Sequence, residues 1–329
     1  MKAIVRTEYG GTERVRLDDQ PDPHPGAGEV LVDVHAAGVD RGVWHLMTGR
    51  PWMARPVFGM PRPKVPVLGR DLAGVVTAVG EGVTGIAVGD RVMGTSARGT
   101  FAEQVAARAD RIVPLPDRWD FAQAAAVPVS GLTAMQAVHQ FGKVRAGQRV
   151  LVIGGSGGVG SFTVQLARHA GARVDAESSA AKAGLVRGLG AERLWIYDGD
   201  PADRVDTALD EPYDVVIDCG SYRTIRQLRR LVTRRGTVVI VGAETGGPLM
   251  DGFQRQLRAA VMSPFVQQRL TFVVSSEAAS ELARLVELAE DGAFAPVVER
   301  TWPLVDAAAA IDHVTDGRAR GKVVVSVRD

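Results

Sequence analysis

The pattern of apolar and polar residues divides the chain into parts with different periodicities. Up to about residue 125, short β-branched runs such as 29–35 and 73–79 are separated by turn sequences rich in glycine and proline. Strands at this spacing, with no long helices between them, favour a partly closed barrel. Residues 1–125 are therefore predicted to form a β-rich domain.

From residue 126 to 274, apolar strand-like runs alternate with helical patterns. The runs begin near Val150, Arg173, Leu194, Tyr213, Thr237 and Leu270. The helical patterns cover 162–170, 182–189, 201–209 and 222–233. Alternation of this kind predicts an α/β fold with a Rossmann-type, doubly wound parallel sheet.

The remaining segment, 275–329, contains one clear helix and one clear strand. An amphipathic pattern carries Leu282, Leu285, Val286 and Ala289 and ends at Gly292. A last β-branched run at 322–327 is expected to return to the first domain.

Composition narrows the class of protein. The 329 residues include 39 basic and 38 acidic side chains, a net charge of +1 that gives no electrostatic footprint for nucleic acid or an anionic membrane. The single cysteine, Cys219, excludes a disulfide framework within the chain and fits a reducing, cytoplasmic location. The uncharged run 121–142 contains several polar residues, which favour a buried soluble segment over a membrane span.

A glycine cluster follows the first strand-like run of the second domain. Gly155, Gly157 and Gly160 match G-x-G-x-x-G with a strand before and a helix after, the setting in which the motif binds a dinucleotide pyrophosphate. The loop residues expected at the pyrophosphate are Gly155, Ser156, Gly157, Gly158, Val159 and Gly160. A glycine-rich turn without a ligand is the alternative.

Six short motifs spread over the whole chain resemble those of the medium-chain dehydrogenase/reductase superfamily. They are Gly26-x-Gly28-Glu29-Val30, Ala36-Ala-Gly-Val39, Val67-Leu-Gly-Arg-Asp-x-Ala-Gly74, Val88-Gly-Asp-Arg-Val92, Gly131-Leu-Thr-Ala134 and Ala319-Arg-Gly-Lys322. The resemblance is to the zinc-independent quinone oxidoreductase and enoyl reductase branch. It implies that residues 1–125 form a GroES-like catalytic domain, to which 275–329 return, and that 126–274 bind the dinucleotide.

The positions of the zinc ligands in zinc-dependent relatives are occupied by other residues. They are Asp40, Arg70, Asp71 and Ser130, and arginine cannot ligate zinc. We therefore expect no metal site. Without a Lewis acid, hydride addition is easiest to a conjugated C=C or a quinone, where the developing charge is delocalised. The expected substrate is a small hydrophobic conjugated carbonyl or a quinone.

The expected cofactor is NADPH, with NADH as the weaker alternative. NAD-preferring relatives carry a ribose-binding acid 19 residues after the last glycine, a position held here by Ser179. The resemblance implies that Ser179, Lys182 and Tyr197 hold the 2′-phosphate, with Ser178 beside them.

Two carboxylates depart from the family pattern at the same place. Glu177 and Asp175 lie where relatives usually have small or apolar residues, and a carboxylate close to a phosphate would repel it. Family positions further imply that Thr133, Val241, Gly242 and Phe272 lie near the nicotinamide, and that Lys322 contacts the cofactor.

Reduction of an enone also needs a proton at the α-carbon. The candidate donors are Asp40, His45 and Tyr9, with solvent as the alternative. Asp40 could instead pair with Arg41 or Arg70, and His45 could be a core residue.

The proline-rich segment 48–63 is predicted to be a long loop at the substrate. The candidate substrate-lining residues are Trp44, Trp52, Met53, Phe58 and Met60. The alternative is a loop packed against its own domain or a dimer mate.

The sequence leaves two other functions open. The acidic residues near the predicted cofactor site motivate one alternative, a non-redox cyclase or isomerase, or a binding protein, on the same fold. A zinc-free alcohol dehydrogenase is a weaker alternative. The run 270–274 resembles the family's dimer-forming edge, so a homodimer is expected.

Overall fold

The computed structural model describes residues 1–197, 211–220, 222–242 and 247–328, and the chain divides into two compact units. The first unit comprises Met1–Leu132, Ser276–Asp291 and Pro296–Asp329, and the second comprises Thr133–Ser275 and Gly292–Ala295. Within the described ranges, no helix is both long and apolar enough to cross a membrane.

The first unit is built on strands from both ends of the chain. Its strands are β1 Lys2–Val5, β2 Arg16–Asp19, β3 Glu29–Val39, β4 Asp71–Val79, β5 Arg91–Thr95, β6 Gln104–Arg108, β7 Ile112–Pro114, β14 Val298–Pro303 and β15 Lys322–Ser326. Its helices are α1 Arg41–Thr48, α2 Arg55–Phe58, α3 Phe121–Ala125, α9 Ala279–Glu290 and α10 Ala307–Thr315. Helix α4, Pro128–Gln136, runs across the boundary between the units.

The long strand β3 organises this unit. It pairs antiparallel with β4, β6 and β15, and the main path of the seven-stranded sheet is β14-β15-β3-β4-β5-β7. Alternate β3 residues Val30, Val32 and Val34 are fully buried in the core, as a strand with one inward face requires. The predicted GroES-like domain is confirmed, and β15, near the end of the chain, pairs with β3 of that domain.

The second unit is a parallel sheet flanked by helices. Its strands are β8 Arg149–Ile153, β9 Arg173–Ser179, β10 Arg193–Tyr197, β11 Tyr213–Asp218, β12 Val232–Ile240 and β13 Arg269–Phe272. Its described helices, besides the end of α4, are α5 Gly158–His169, α6 Ala183–Gly188, α7 Ile225–Leu231 and α8 Phe253–Met262. The strand order is β10-β9-β8-β11-β12-β13, so successive strands are added on one side of β8 up to β10 and on its other side from β11 onward. The predicted Rossmann sheet is confirmed, and its ligand site is expected at the carboxyl ends around that change of side.

The structure corrects several predicted elements. Helix α7 ends at Leu231 rather than 233, because the β-branched Val232 already belongs to β12. The segment 48–63 is not a plain loop, since it contains a 3₁₀ turn at Trp52–Ala54 followed by α2. Strands β2, β6 and β7 and helix α10 lacked a recognised pattern, and the predicted helix 201–209 lies outside the described residues.

Candidate active site

The glycine loop joins β8 to α5, and at Gly155 and Gly160 a side chain would crowd neighbouring atoms. A Cβ on Gly160 would lie 2.1 Å from the Gly154 carbonyl oxygen, and one on Gly155 would lie 3.0 Å from the Ala176 Cβ. Gly154 itself has a φ of +77°, which favours glycine. The loop therefore depends on glycine for its turn and for the packing of helix on strand.

Gly157, the middle glycine of the motif, has room for a ligand beside its α-carbon. Gly157 is the N-cap of the twelve-residue helix α5, and a Cβ there would contact only the Gly154 oxygen, at 3.6 Å, within the described part of the chain. The amides of the first turn of α5 are thus open to an anion approaching from outside. This cradle fits the pyrophosphate of a dinucleotide.

The end of the neighbouring strand β9 lies against β10. Ser179 and Tyr197 are partners in the sheet register and are joined by a hydrogen bond between their side chains. Burial raises the pKa of Tyr197, so its hydroxyl stays protonated at neutral pH. Lys182 follows in a 3₁₀ turn and is half-buried. Ser179 and Tyr197 are therefore neighbours across two strands, and Lys182 lies three residues beyond Ser179 along the chain.

Ser178 is placed differently from its predicted neighbours. Its side chain is fully buried, and its hydroxyl donates to the Ser179 carbonyl oxygen at 3.3 Å. Adjacent strand residues point to opposite faces, so Ser178 faces away from Ser179.

The carboxylates that depart from the family pattern both have partners. Glu177 lies 2.7 Å from the Arg223 Nη2 in an ion pair that is almost completely buried. Asp175 accepts a 2.8 Å hydrogen bond from the Tyr213 hydroxyl and lies 3.8 Å from Arg149. Both carboxylates at this end of the sheet are therefore compensated by a partner.

A second buried ion pair closes the carboxyl end of β11. Asp218 is fully buried, and Arg255 of α8 donates to its Oδ2 while the Gly220 amide donates to Oδ1 at 3.1 Å. The Asp218 carbonyl accepts the amides of Val241 and Gly242 at 3.0 and 3.4 Å. The two predicted nicotinamide neighbours are thus anchored to β11.

Phe272 and Thr133, the other predicted nicotinamide neighbours, lie on different elements of the second unit. Phe272 is opposite Ile240 in the register of β12 and β13. Thr133 is in α4 and half-buried.

In the first unit, the residues at the zinc-ligand positions have other partners. Asp40 is the N-cap of α1 and accepts the Val43 amide at 3.2 Å. Arg70 is paired with Glu277, which also lies 3.2 Å from Arg111. Among the described residues, no three His, Cys, Asp or Glu side chains are grouped to hold a metal ion. The side chains at these positions do not fit a zinc ligand set.

Lys322, predicted to contact the cofactor, is buried inside the first unit. Its side chain is 1% exposed, and its Nζ lies 3.0 Å from the Ser130 Oγ and 3.4 Å from the Asp71 Oδ2. Asp71 also accepts the Val129 amide at 2.8 Å. The lysine is placed here because β15 is hydrogen-bonded to β3 inside the sheet. Its ammonium holds the first turn of α4 to the amino end of β4.

Complete burial raises the pKa of Asp71 to about 7, against the opposing effect of Lys322; the Asp40 and Glu277 carboxylates raise it further. A carboxyl whose folded pKa exceeds its unfolded value of 3.8 costs no stability below about pH 4. We therefore expect its contribution to fall as the pH rises from about 4 to about 7. Urea unfolding of the wild type and of D71N/K322M across this range measures the slope, which the double variant should reduce. Parallel pH profiles would assign the slope to other groups.

The three predicted proton donors are all engaged in local structure. The Tyr9 hydroxyl donates to the Gly59 carbonyl at 2.8 Å, and its ring stacks under the Arg55 guanidinium, 4.7 Å away. His45 Nδ1 lies 3.1 Å from the Arg50 carbonyl oxygen. Asp40 caps α1, although its buried Oδ2 has no hydrogen-bond partner among the described residues. Tyr9 therefore fixes the segment around α2.

The predicted substrate-lining residues separate into two groups. Trp44 packs against the core of the first unit, and Phe58 is half-buried at the end of α2. Trp52, Met53 and Met60 are 46%, 49% and 72% exposed. The exposed group forms an apolar surface on the segment 48–63.

Four charged residues of these networks were not recognised from sequence as a site: Asp71, Asp218, Arg223 and Arg255. Asp71 and Lys322 both lie in family motifs, but their contact depends on pairing of strands from opposite ends of the chain. Arg223 follows the carboxyl end of β11, the strand next to the glycine-loop strand. That position is a usual ligand-binding edge, and it was the available signal.

Comparisons with known proteins agree with this architecture. Residues 26–117 match the family described as "Alcohol dehydrogenase GroES-like domain", and residues 189–325 match "Zinc-binding dehydrogenase". The chain is 31% identical to the quinone oxidoreductase of Mus musculus, over 99% of this chain and 97% of that protein. It is 35% identical to the pikromycin polyketide synthase component PikAII of Streptomyces venezuelae, over 93% of this chain but 8% of that protein.

Solved structures are also similar over the full length, and two of them bear on the cofactor and the family. The quinone oxidoreductase of Coxiella burnetii superposes with a TM-score of 0.86 at 28% identity, covering 100% of this chain and 99% of that one. The mycobacterial protein Rv1454c, complexed with NADPH, gives a TM-score of 0.84 at 31% identity, covering 99% of this chain and 100% of that one. The chain is thus an oxidoreductase and belongs to the medium-chain dehydrogenase/reductase superfamily, in its quinone oxidoreductase and enoyl reductase branch.

Proposed function

We propose that the protein is a zinc-independent, NADPH-dependent reductase that transfers hydride to a quinone or to the C=C of an α,β-unsaturated carbonyl. The observation that carries the proposal is the position of two subsites at adjoining strand ends of one sheet. The glycine cradle lies after β8, and the Ser179–Tyr197 pair lies at the ends of β9 and β10. NADPH in the similar mycobacterial protein supports this choice of cofactor.

The cofactor would be held by groups of the second unit. The amides of the loop 155–160 would bind the pyrophosphate at the start of α5. Ser179, Lys182 and Tyr197 would bind the 2′-phosphate through two hydroxyls and a cation. When bound, NADPH supplies the hydride. Val241 and Gly242, fixed by the Asp218 carbonyl, would border the nicotinamide.

The substrate class follows from the residues at the zinc-ligand positions. Asp40, Arg70 and Ser130 provide a helix cap, an ion pair and a lysine contact rather than a Lewis acid site. An acceptor that delocalises the developing charge needs less stabilisation than an isolated ketone. Similarity to quinone oxidoreductases and to a polyketide synthase component supports a quinone or an enone.

The direct test follows NADPH absorbance with a panel of benzoquinones, naphthoquinones and linear enones. We expect turnover with at least one acceptor, slower turnover with NADH, and no loss of activity after dialysis against a chelator. The chelator arm tests zinc independence separately from the reaction. Absence of NADPH oxidation with every acceptor would refute the proposed activity.

The residues that motivated a non-redox function have structural roles. Glu177, Asp175 and Asp40 suggested a non-redox protein, but each is explained by a structural partner. A zinc-free alcohol dehydrogenase has no feature in its favour among the described residues.

We further propose that the chain forms a cytoplasmic homodimer. In the described part of the sheet, β13 is an edge strand paired with β12, and the following Val274 is 68% exposed. An apolar sheet edge invites pairing with a second copy. Sedimentation equilibrium should give about twice the chain mass of 34.9 kDa.

A further inference from the structure

The buried ion pair between Glu177 and Arg223 joins two strand ends that are not neighbours in the sheet. Glu177 lies on β9 and Arg223 lies between β11 and α7, while β8 runs between β9 and β11. The two side chains therefore meet across the end of β8, where the glycine loop begins. The Gly155 amide donates to the Glu177 carbonyl at 3.0 Å, so the pair is tied directly to that loop.

The pair lies beside the residues proposed to bind the 2′-phosphate. Glu177 and Ser179 are two residues apart on one strand and point to the same face. Tyr222 precedes Arg223 and is close enough to Tyr197 to affect its ionisation. The segment after β11 thus reaches the ends of β9 and β10.

The net charge beside Ser179 would affect the binding of NADPH and of NADH differently. A buried carboxylate on the face of Ser179 would repel a phosphate dianion, and the repulsion is strong because few water molecules screen it. The same carboxylate would accept hydrogen bonds from unphosphorylated ribose hydroxyls. With side-chain exposures of 10% for Arg223 and 4% for Glu177, solvent cannot neutralise either charge.

We infer that Arg223 is a specificity-determining residue: its guanidinium neutralises Glu177 and so allows a 2′-phosphorylated dinucleotide to bind. This rests on the proposed NADPH dependence and adds a residue outside the 2′-phosphate contacts themselves. Arg223 acts through Glu177, so it positions and compensates charge rather than taking part in hydride transfer.

Calorimetric titration of NADPH and NADH into the wild type, R223M, E177Q and R223M/E177Q tests the inference. R223M exposes the carboxylate charge and should weaken NADPH binding at least about tenfold relative to NADH. E177Q leaves the arginine charge in place and should shift the ratio of the two dissociation constants toward NADPH. The double variant should return the ratio to within about threefold of the wild type.

Opposite shifts in the two single variants distinguish this role from a purely structural ion pair. A structural pair would weaken both cofactors equally, in both variants, and that result would overturn the inference. Should R223M fail to fold, E177Q and the charge-conserving R223K suffice: E177Q must favour NADPH, and R223K must keep the wild-type ratio. R318M, which breaks an exposed Arg318–Asp316 pair, is the matched control and should leave the ratio unchanged.

Failure of the cofactor proposal would look different. Wild-type protein that binds NADH but not NADPH would refute NADPH dependence itself. Wild-type protein that prefers NADPH, with an unchanged ratio in R223M and E177Q, would refute only the role of Arg223.

Discussion

The substitution G160A should abolish dinucleotide binding and destabilise the second unit. The new Cβ would lie 2.1 Å from the Gly154 oxygen and 2.9 Å from the Gly155 Cα, and neither backbone atom can move without opening the turn. Overpacking of this kind costs about 1–3 kcal/mol, and sometimes more. Urea unfolding and titration with NADPH measure the two effects.

The substitution G157A should weaken cofactor binding while leaving the stability of the fold unchanged. Its Cβ would make only an ordinary 3.6 Å contact, so the free energy of unfolding should stay close to that of the wild type. The methyl group would occupy the approach of the pyrophosphate, and loss of one or two charge-assisted hydrogen bonds should weaken binding roughly 10- to 100-fold.

Gly184 in α6 provides the control for both glycine variants. A Cβ there would meet no atom within 4 Å in the described part of the chain, so G184A should keep stability and cofactor binding. Wild-type affinity in G157A would show that the loop does not hold a phosphate.

The largest loss of stability is expected from R255M. The substitution leaves the fully buried Asp218 carboxylate without its guanidinium, and breaking a buried pair in this way costs roughly 3–5 kcal/mol. Chemical denaturation measures the change in the free energy of unfolding. D218N/R255M should recover much of the loss, because it removes the uncompensated charge while an amide can still accept from Gly220.

R318M is again the comparison, because its partner Asp316 and Arg318 itself are 57% and 59% exposed. Exposed pairs contribute less than about 1 kcal/mol, so this variant should be close to the wild type. A cost for R255M no greater than that for R318M would contradict the importance of the buried pair.

Elements with a strong local pattern were predictable from sequence. Strand β8 and the end of β12 are continuous apolar runs, and the glycine loop lies between a strand and a helix that each have a clear pattern. The short strands β2, β6 and β7 are only three to five residues long, so periodicity carries little information there.

The candidate site was predictable where it depends on the backbone and unpredictable where it depends on distant pairs. Gly160 is located by its place in the glycine motif after β8, and Ser179 by its spacing of 19 residues from Gly160. The partner of Glu177 is 46 positions away along the chain, and the partner of Asp71 is 251 positions away. Charge compensation between such residues appears only after the strands are ordered in space, so the sequence showed the charge of Glu177 without its partner Arg223.

The pairing of β15 with β3 sets an order of events during synthesis. Val39 and Val323 are neighbours in the sheet although about 280 residues separate them, whereas the strands of the second unit all lie within Thr133–Ser275. The second unit can therefore complete its sheet while the ribosome is still adding the last segment. The first unit, begun earlier, must wait with one side of β3 uncovered until that segment emerges. The second unit thus finishes its parallel sheet before the first unit, which precedes it along the chain, can finish its own.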